Sequence, residues 1–195
     1  MTSNMYRINE ARMQSPSFLT IIEEKPATEE EFIVFWSRYY SDPREHLYNP
    51  NIGLPLTKQR LLELFEWKNG GKIAKHKLKS ILINYVDNRP NPPTAGDRSE
   101  HIRFITSPGG AIWRIFWLHC NAPKKYPIFD QHVYRAMRKL LTGHADEIPA
   151  GNHQKAIVYM DDYRPFYYSF LHNDKKKLDE ALWSFGKYLK SPYAL

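Results

Sequence analysis

Two short stretches carry the side chains best suited to chemistry. Pro108, Gly109 and Gly110 break the chain between two helical patterns, and Asp130 opens a further helix after the segment Ala111 to His119. Glycine accepts φ > 0 and lets another backbone approach closely. Gly109, Gly110 and the following Ala111 can therefore turn amides outward at a helix start, where free N–H groups and the helix dipole make an anion site. Asp130 follows Pro127-Ile128-Phe129, an apolar run that would shield a carboxylate from water. Such a carboxylate can stabilise positive charge building on a sugar ring and can orient water. Together the two features suit a chain that grips a nucleic-acid backbone while an acid works on a sugar. Plainer readings stand beside these. Pro-Gly also makes ordinary turns, and Asp is among the best helix caps, a role the same side chain can combine with chemistry.

The elements that must position these groups are helical. Thr28 with Glu29, Glu30 and Glu31 forms a capping box ahead of a stripe of Phe32, Phe35, Trp36 and Tyr39. Ser41-Asp42-Pro43 stops that helix, and Pro43, Pro50, Gly53 and Pro55 mark residues 42–56 as an irregular loop. Thr57 caps a second helix that ends at Asn69-Gly70-Gly71, and a third is predicted from Lys72 to Val86. The proline-rich segment 87–93 cannot continue it. Asp97 starts the helix before the glycine turn. After Asp130 a helix runs to Gly143, a helical region from His153 to His172 is interrupted before Pro165, and Asp174 begins the last helix. Met1 to Pro26 lacks periodicity and reads as an arm laid across the domain. No strand or repeat emerges, so the expectation is one all-α domain over residues 1–195, of about eight to ten helices.

Composition narrows the class. With 42% hydrophobic and 25% charged residues, the chain reads as globular rather than disordered. No apolar run reaches the ~20 residues of a membrane span, and Met1 to Arg12 lacks a signal peptide's apolar stretch. One cysteine, Cys120, excludes an internal disulfide and fits a cytoplasmic location. A net charge of +7 favours polyanions through counterion release, although a basic surface can also serve solubility alone. His-Glu-x-x-His, zinc-deaminase, phosphate-loop and dinucleotide motifs are all absent, and no metal site is expected.

Residues 107–135 resemble the helix-hairpin-helix DNA glycosylases, the superfamily of endonuclease III and the alkyladenine glycosylases. Pro108-Gly109-Gly110 matches the start of the hairpin motif with its second glycine displaced, and Asp130, His132, Val133 and Arg135 match the Asp-x-His-(Val/Ile)-x-Arg element in register. The resemblance implies two helical lobes around a DNA-binding cleft, with the hairpin motif at about 97–121 and the catalytic loop and helix at about 124–142. Trp113 stands where bifunctional members carry the lyase lysine, five positions after Pro108. The implied activity is therefore monofunctional: a flipped base is hydrolysed off, leaving an abasic site without strand cleavage. Cys120 alone cannot hold an iron-sulfur cluster, and the only cofactor implied is a monovalent cation at the hairpin.

On this resemblance Asp130 is the catalytic candidate. Gly109, Gly110 and Ala111, with Lys124 and Lys125 ahead of the catalytic loop, are the candidates for DNA phosphate. Trp113, Trp36, Tyr39, Tyr40 and Tyr48 are candidates for the base pocket or for the wedge that fills the vacated stack, though a helical aromatic stripe is also ordinary core. His132 and Arg135 are supporting residues. Lys124 or Lys125 is a remote substitute for the missing lyase lysine. The implied partner is double-stranded DNA bound by a monomer. The implied setting is base-excision repair of alkylated purines, or anti-phage defence against hypermodified bases such as glucosylated hydroxymethylcytosine. Two other readings compete: a DNA-binding protein that keeps the hairpin without catalysis, and an all-α interaction protein with an accidental hairpin.

Overall fold

The computed structural model describes residues 28–94 and 96–192, and the expected N-terminal arm, Met1 to Pro26, lies outside them. All regular elements among these residues are helical. They are α1 (Glu29–Ser37), α2 (Glu45–Tyr48), α3 (Lys58–Asn69), α4 (Lys75–Ile81), α5 (Arg98–Thr106), α6 (Ala111–Asn121), α7 (Gln131–Thr142), α8 (Asn152–Ile157), α9 (Arg164–Ser169) and α10 (Lys175–Tyr188). Among the described residues no helix is long and apolar enough to cross a membrane.

The helix starts follow their capping side chains. Thr28 accepts from the Glu31 amide while Glu31 returns a bond to the Thr28 amide, so two orphan donors are satisfied reciprocally. Thr57 caps α3, Asp97 caps α5 and Asp174 caps α10. Helix α3 ends where predicted, on Gly70 in the left-handed conformation. Two expectations need correction. The loop over 42–56 contains the single turn α2. The helix expected from Lys72 begins only at Lys75, after Gly71 at φ 124°, and closes in a π-helical turn over Leu82–Asp87. The interruption before Pro165 also takes the form of a π-helical turn, Val158–Tyr163, rather than a break. Proline lacks an amide and crowds the carbonyl four residues back, and a widened turn accommodates both defects.

Helix α6 is the centre of the molecule. Most of its side chains are buried, Arg114 and His119 included, and its faces serve two groups of buried apolar side chains. Ile115 and Leu118 join Ile33, Val133, Tyr159 and Leu182 on one side. Phe116, Trp117 and Cys120 join Leu61, Phe65 and Tyr85 on the other. Helix α10 packs on α1 and α7. Its approach to α7 is so close that a Cβ on Gly186 would sit 1.9 Å from the His132 carbonyl oxygen. Arg135, 2% exposed, ties the two helices by donating to the Gly186 carbonyl at 2.9 Å, and it also pairs with Glu147 at 2.8 Å. This contact brings the start of α7 against the last turn of α10.

Candidate functional site

Asp130 caps α7. Its Oδ1 accepts the amides of His132 at 2.8 Å and Val133 at 3.2 Å, so the capping role is real. Its Oδ2 is turned elsewhere and accepts the Lys68 ammonium at 3.0 Å. Lys68 comes from the last turn of α3 and its side chain is only 7% exposed. Pro127, Ile128 and Phe129 are buried behind the acid, as the apolar run predicts. Burial pushes the Asp130 carboxyl upward, but Lys68, His132 and the Val133 amide outweigh it and hold the group below the usual aspartate range. Asp130 is therefore ionised at neutral pH within a mostly enclosed setting.

The acid lines an open cavity of about 490 Å³, within the ~300–1,000 Å³ typical of small-molecule sites. Trp113 of α6 forms part of the wall, stacked on Phe65 with ring centroids 5.4 Å apart. Tyr40 and Tyr48 also line it, Tyr48 lying against Trp67 at 4.3 Å and bonded through its hydroxyl to buried His119. His132 faces the same space, its ring against Trp183 of α10. Desolvation lowers the His132 pKa, which favours a neutral imidazole. At the rim, Tyr40 donates to Glu45, and Lys176 bridges Glu45 and Glu180. Arg44, also at the rim, pairs with Asp42 and donates to the Gly70 carbonyl.

Of the sequence candidates, the structure thus gathers Asp130, Trp113, Tyr40, Tyr48 and His132 around one cavity. Others fall elsewhere. Trp36 is core, packed against Phe185 at 4.9 Å, and Tyr39 is 56% exposed beside a separate shallow depression. Both leave the list of wall residues for the Asp130 cavity, because α1 is covered by α10 rather than by α7. Lys124 is exposed and Lys125 lies over the Tyr126 ring; neither lines the cavity or substitutes for a lyase lysine there. Arg135 is a structural tie, as its two partners require.

The glycine turn has the expected backbone, with φ of 114° at Gly109 and 87° at Gly110. It is anchored from inside the protein. Arg114 donates twice to the Pro108 carbonyl, at 2.9 and 2.6 Å, and the Tyr85 hydroxyl donates to the Gly109 carbonyl at 3.2 Å. Both lone pairs of the Pro108 oxygen are taken by a side chain that is itself cationic, which leaves the turn a poor fit for the monovalent cation the resemblance implies. The Ala111 amide is directed at Asn152 Oδ1, at 3.4 Å, and so is withdrawn from an anion. The amides of Gly109 and Gly110 have no such acceptor among the described residues. Gly110 lies against Trp113, its missing Cβ 3.5 Å from the indole, so the turn adjoins the cavity wall.

Of the cavity residues that escaped the sequence reading, Lys68 and Asp179 bear most on its chemistry. Lys68 is separated from Asp130 by 62 positions, and nothing in the pattern of α3 distinguishes it from a solvated lysine. Asp179 sits among the apolar positions of α10, between Leu178 and Leu182. An acid inside an otherwise apolar stripe was the available signal. Among the described residues no group of three or more histidine, cysteine or acidic side chains is placed to hold a metal. Compared with protein-family models, curated proteins and solved structures, the chain matches none of them.

Proposed function

We propose that this chain is a monofunctional DNA glycosylase, in which a base flipped out of duplex DNA enters the Asp130 cavity and is hydrolysed from its sugar. The observation that carries the reading is an ionised carboxylate held by Lys68 and two amides at the wall of a cavity lined with aromatic rings. As the C1′–N bond breaks, the electron pair leaves with the base and positive charge develops on the sugar. A carboxylate fixed in an enclosed site stabilises that charge without reorganising. Water then adds at C1′ and its proton passes to the carboxylate and on to solvent. Trp113 and Tyr48 offer π-faces for the extruded base.

The remaining features support the same reading. The two hydrophobic groups flanking α6 would be the lobes, with the DNA cleft between them. Gly109 and Gly110 would present amides to a phosphate at the edge of the cavity, and the net charge of +7 would supply sequence-independent affinity. Lys68 is engaged by the Asp130 carboxylate rather than free to attack a sugar, which favours hydrolysis over lyase chemistry. The test is incubation with unmodified, methylated and phage-modified genomic DNA, followed by mass spectrometry of released bases. A released base, absent with Asp130→Asn, is the expected result. Salt-sensitive DNA binding with no base released from any of these would replace the enzyme by a binding protein.

A further inference from the structure

The cavity has a second carboxyl group whose surroundings oppose those of the first. Asp179 of α10 lines the same space as Asp130. No ammonium or guanidinium pairs with it among the described residues; its contact is the Tyr167 hydroxyl, 3.2 Å from Oδ2. That hydroxyl also lies 3.0 Å from the Lys175 carbonyl. A carbonyl only accepts, and a hydroxyl has one proton. The single Tyr167 proton is shared between Oδ2 and the Lys175 oxygen, so among the described residues the Asp179 carboxyl receives at most one side-chain donor, and that one divided with a second acceptor. The other oxygen, Oδ1, is shielded from solvent and has no partner among the described residues. An ionised carboxylate left so would be costly; a neutral acid is not.

Resting on the glycosylase reading, we propose that Asp179 is the general acid of this site, that it protonates the departing base, and that the substrate is therefore a neutral base rather than a cationic alkylated one. The chemistry decides between the two classes. A base alkylated to a cation leaves as a neutral molecule and needs no proton. A neutral base leaves as an anion unless an acid delivers a proton as the C1′–N bond breaks. Here the proton passes from Asp179 to a ring nitrogen or carbonyl oxygen of the base, and the electron pair of the broken bond goes to the base nitrogen. Asp179 is left as a carboxylate. The Tyr167 hydroxyl, with two acceptors in reach, then turns to Oδ2 and stabilises it. The proton released when water adds to C1′ restores the acid through solvent.

The groups facing Asp179 are consistent with this role. Burial raises its pKa most; Tyr167 and Lys68 of α3 lower it, and Asp130 and Glu180 raise it, with the balance at about 8. Two carboxyl groups whose environments drive their titrations apart, one ionised and one protonated at neutral pH, divide the roles of sugar-side stabiliser and acid between them. Positioned proton donors of this kind contribute ~10²–10⁴-fold.

Single-turnover excision should be compared for the wild type, Asp179→Asn and Tyr167→Phe. The substrates are duplexes carrying hypoxanthine or glucosylated hydroxymethylcytosine as neutral bases, and 7-methylguanine as the cationic one, between pH 5.5 and 9. The expected result is a wild-type rate on a neutral base that falls above about pH 8. Asp179→Asn should lose that limb, and its loss on the neutral base should exceed its loss on 7-methylguanine by roughly tenfold or more. Tyr167→Phe, which keeps the acid, should show the same bias more weakly. Equal losses on both classes, or excision of 7-methylguanine alone, overturn the proposal. If the wild type excises nothing, the glycosylase reading fails by itself. The acid is then judged by carboxyl ¹³C titration: a resonance titrating near pH 8 and missing from Asp179→Asn supports it, and titration in the ordinary aspartate range overturns it.

Discussion

Replacing Lys68 by methionine isolates the interaction that holds the site together. The substitution keeps most of the side chain's apolar bulk and removes the ammonium 3.0 Å from Asp130. Breaking a fully buried pair by deleting one partner costs ~3–5 kcal/mol, and an exposed pair is worth ~0–1 kcal/mol. Here the lysine is 7% and the aspartate 20% exposed, and Asp130 keeps two amide donors after the change. The expected cost at pH 7 is therefore intermediate, ~2 kcal/mol, or about thirtyfold in the folding equilibrium. For a chain of this length that lowers the thermal midpoint by ~4–8 °C. The pH dependence has a definite sign. Asp130 is held below its unfolded value, so its contribution is present above the unfolded pKa and disappears as pH falls through the folded one. The gap between wild type and Lys68→Met should close as pH drops below about 4, and the acid limb of any activity profile should move upward in the variant. The assay is urea unfolding of a double-mutant cycle with Asp130→Asn. A coupling energy under ~0.5 kcal/mol at pH 7 would refute the claim that Lys68 sustains the Asp130 charge.

Further outcomes follow from the same geometry. Gly109→Ala combines a positive φ of 114° with a Cβ 2.6 Å from the Tyr85 hydroxyl, so it should weaken binding to duplex DNA at least severalfold in a salt titration, with a smaller loss of stability. Gly186→Ala must push α10 off the His132 carbonyl, and should lower stability by ~3 kcal/mol or more in urea unfolding, as overpacking does at its upper end. Borohydride added during turnover should trap no covalent protein–DNA adduct. An adduct lost in Lys68→Met would instead identify Lys68 as a lyase nucleophile.

The local signals in the sequence were good guides to local structure. The caps at Thr28, Thr57, Asp97, Asp130 and Asp174 all form, since a cap and its helix lie within a few residues of each other. Asp130 and Trp113 meet in one cavity because they flank a single helix and loop. What could not be read was which distant faces would meet. An amphipathic stripe records that a helix is covered and not by what. Trp36 and Tyr39 therefore looked as eligible as Tyr40 and Tyr48, although α1 turns the first pair toward α10 and away from Asp130. For the same reason Lys68 and Asp179, which set the charge of the cavity, became visible only when α3 and α10 closed over the start of α7.

The most direct measurement compares base excision and DNA affinity in wild type and Asp130→Asn on the same duplex. Asparagine keeps the cap and removes only the charge. The account predicts that affinity is retained while single-turnover excision falls by ~100-fold or more. Excision by Asp130→Asn at the wild-type rate would contradict it.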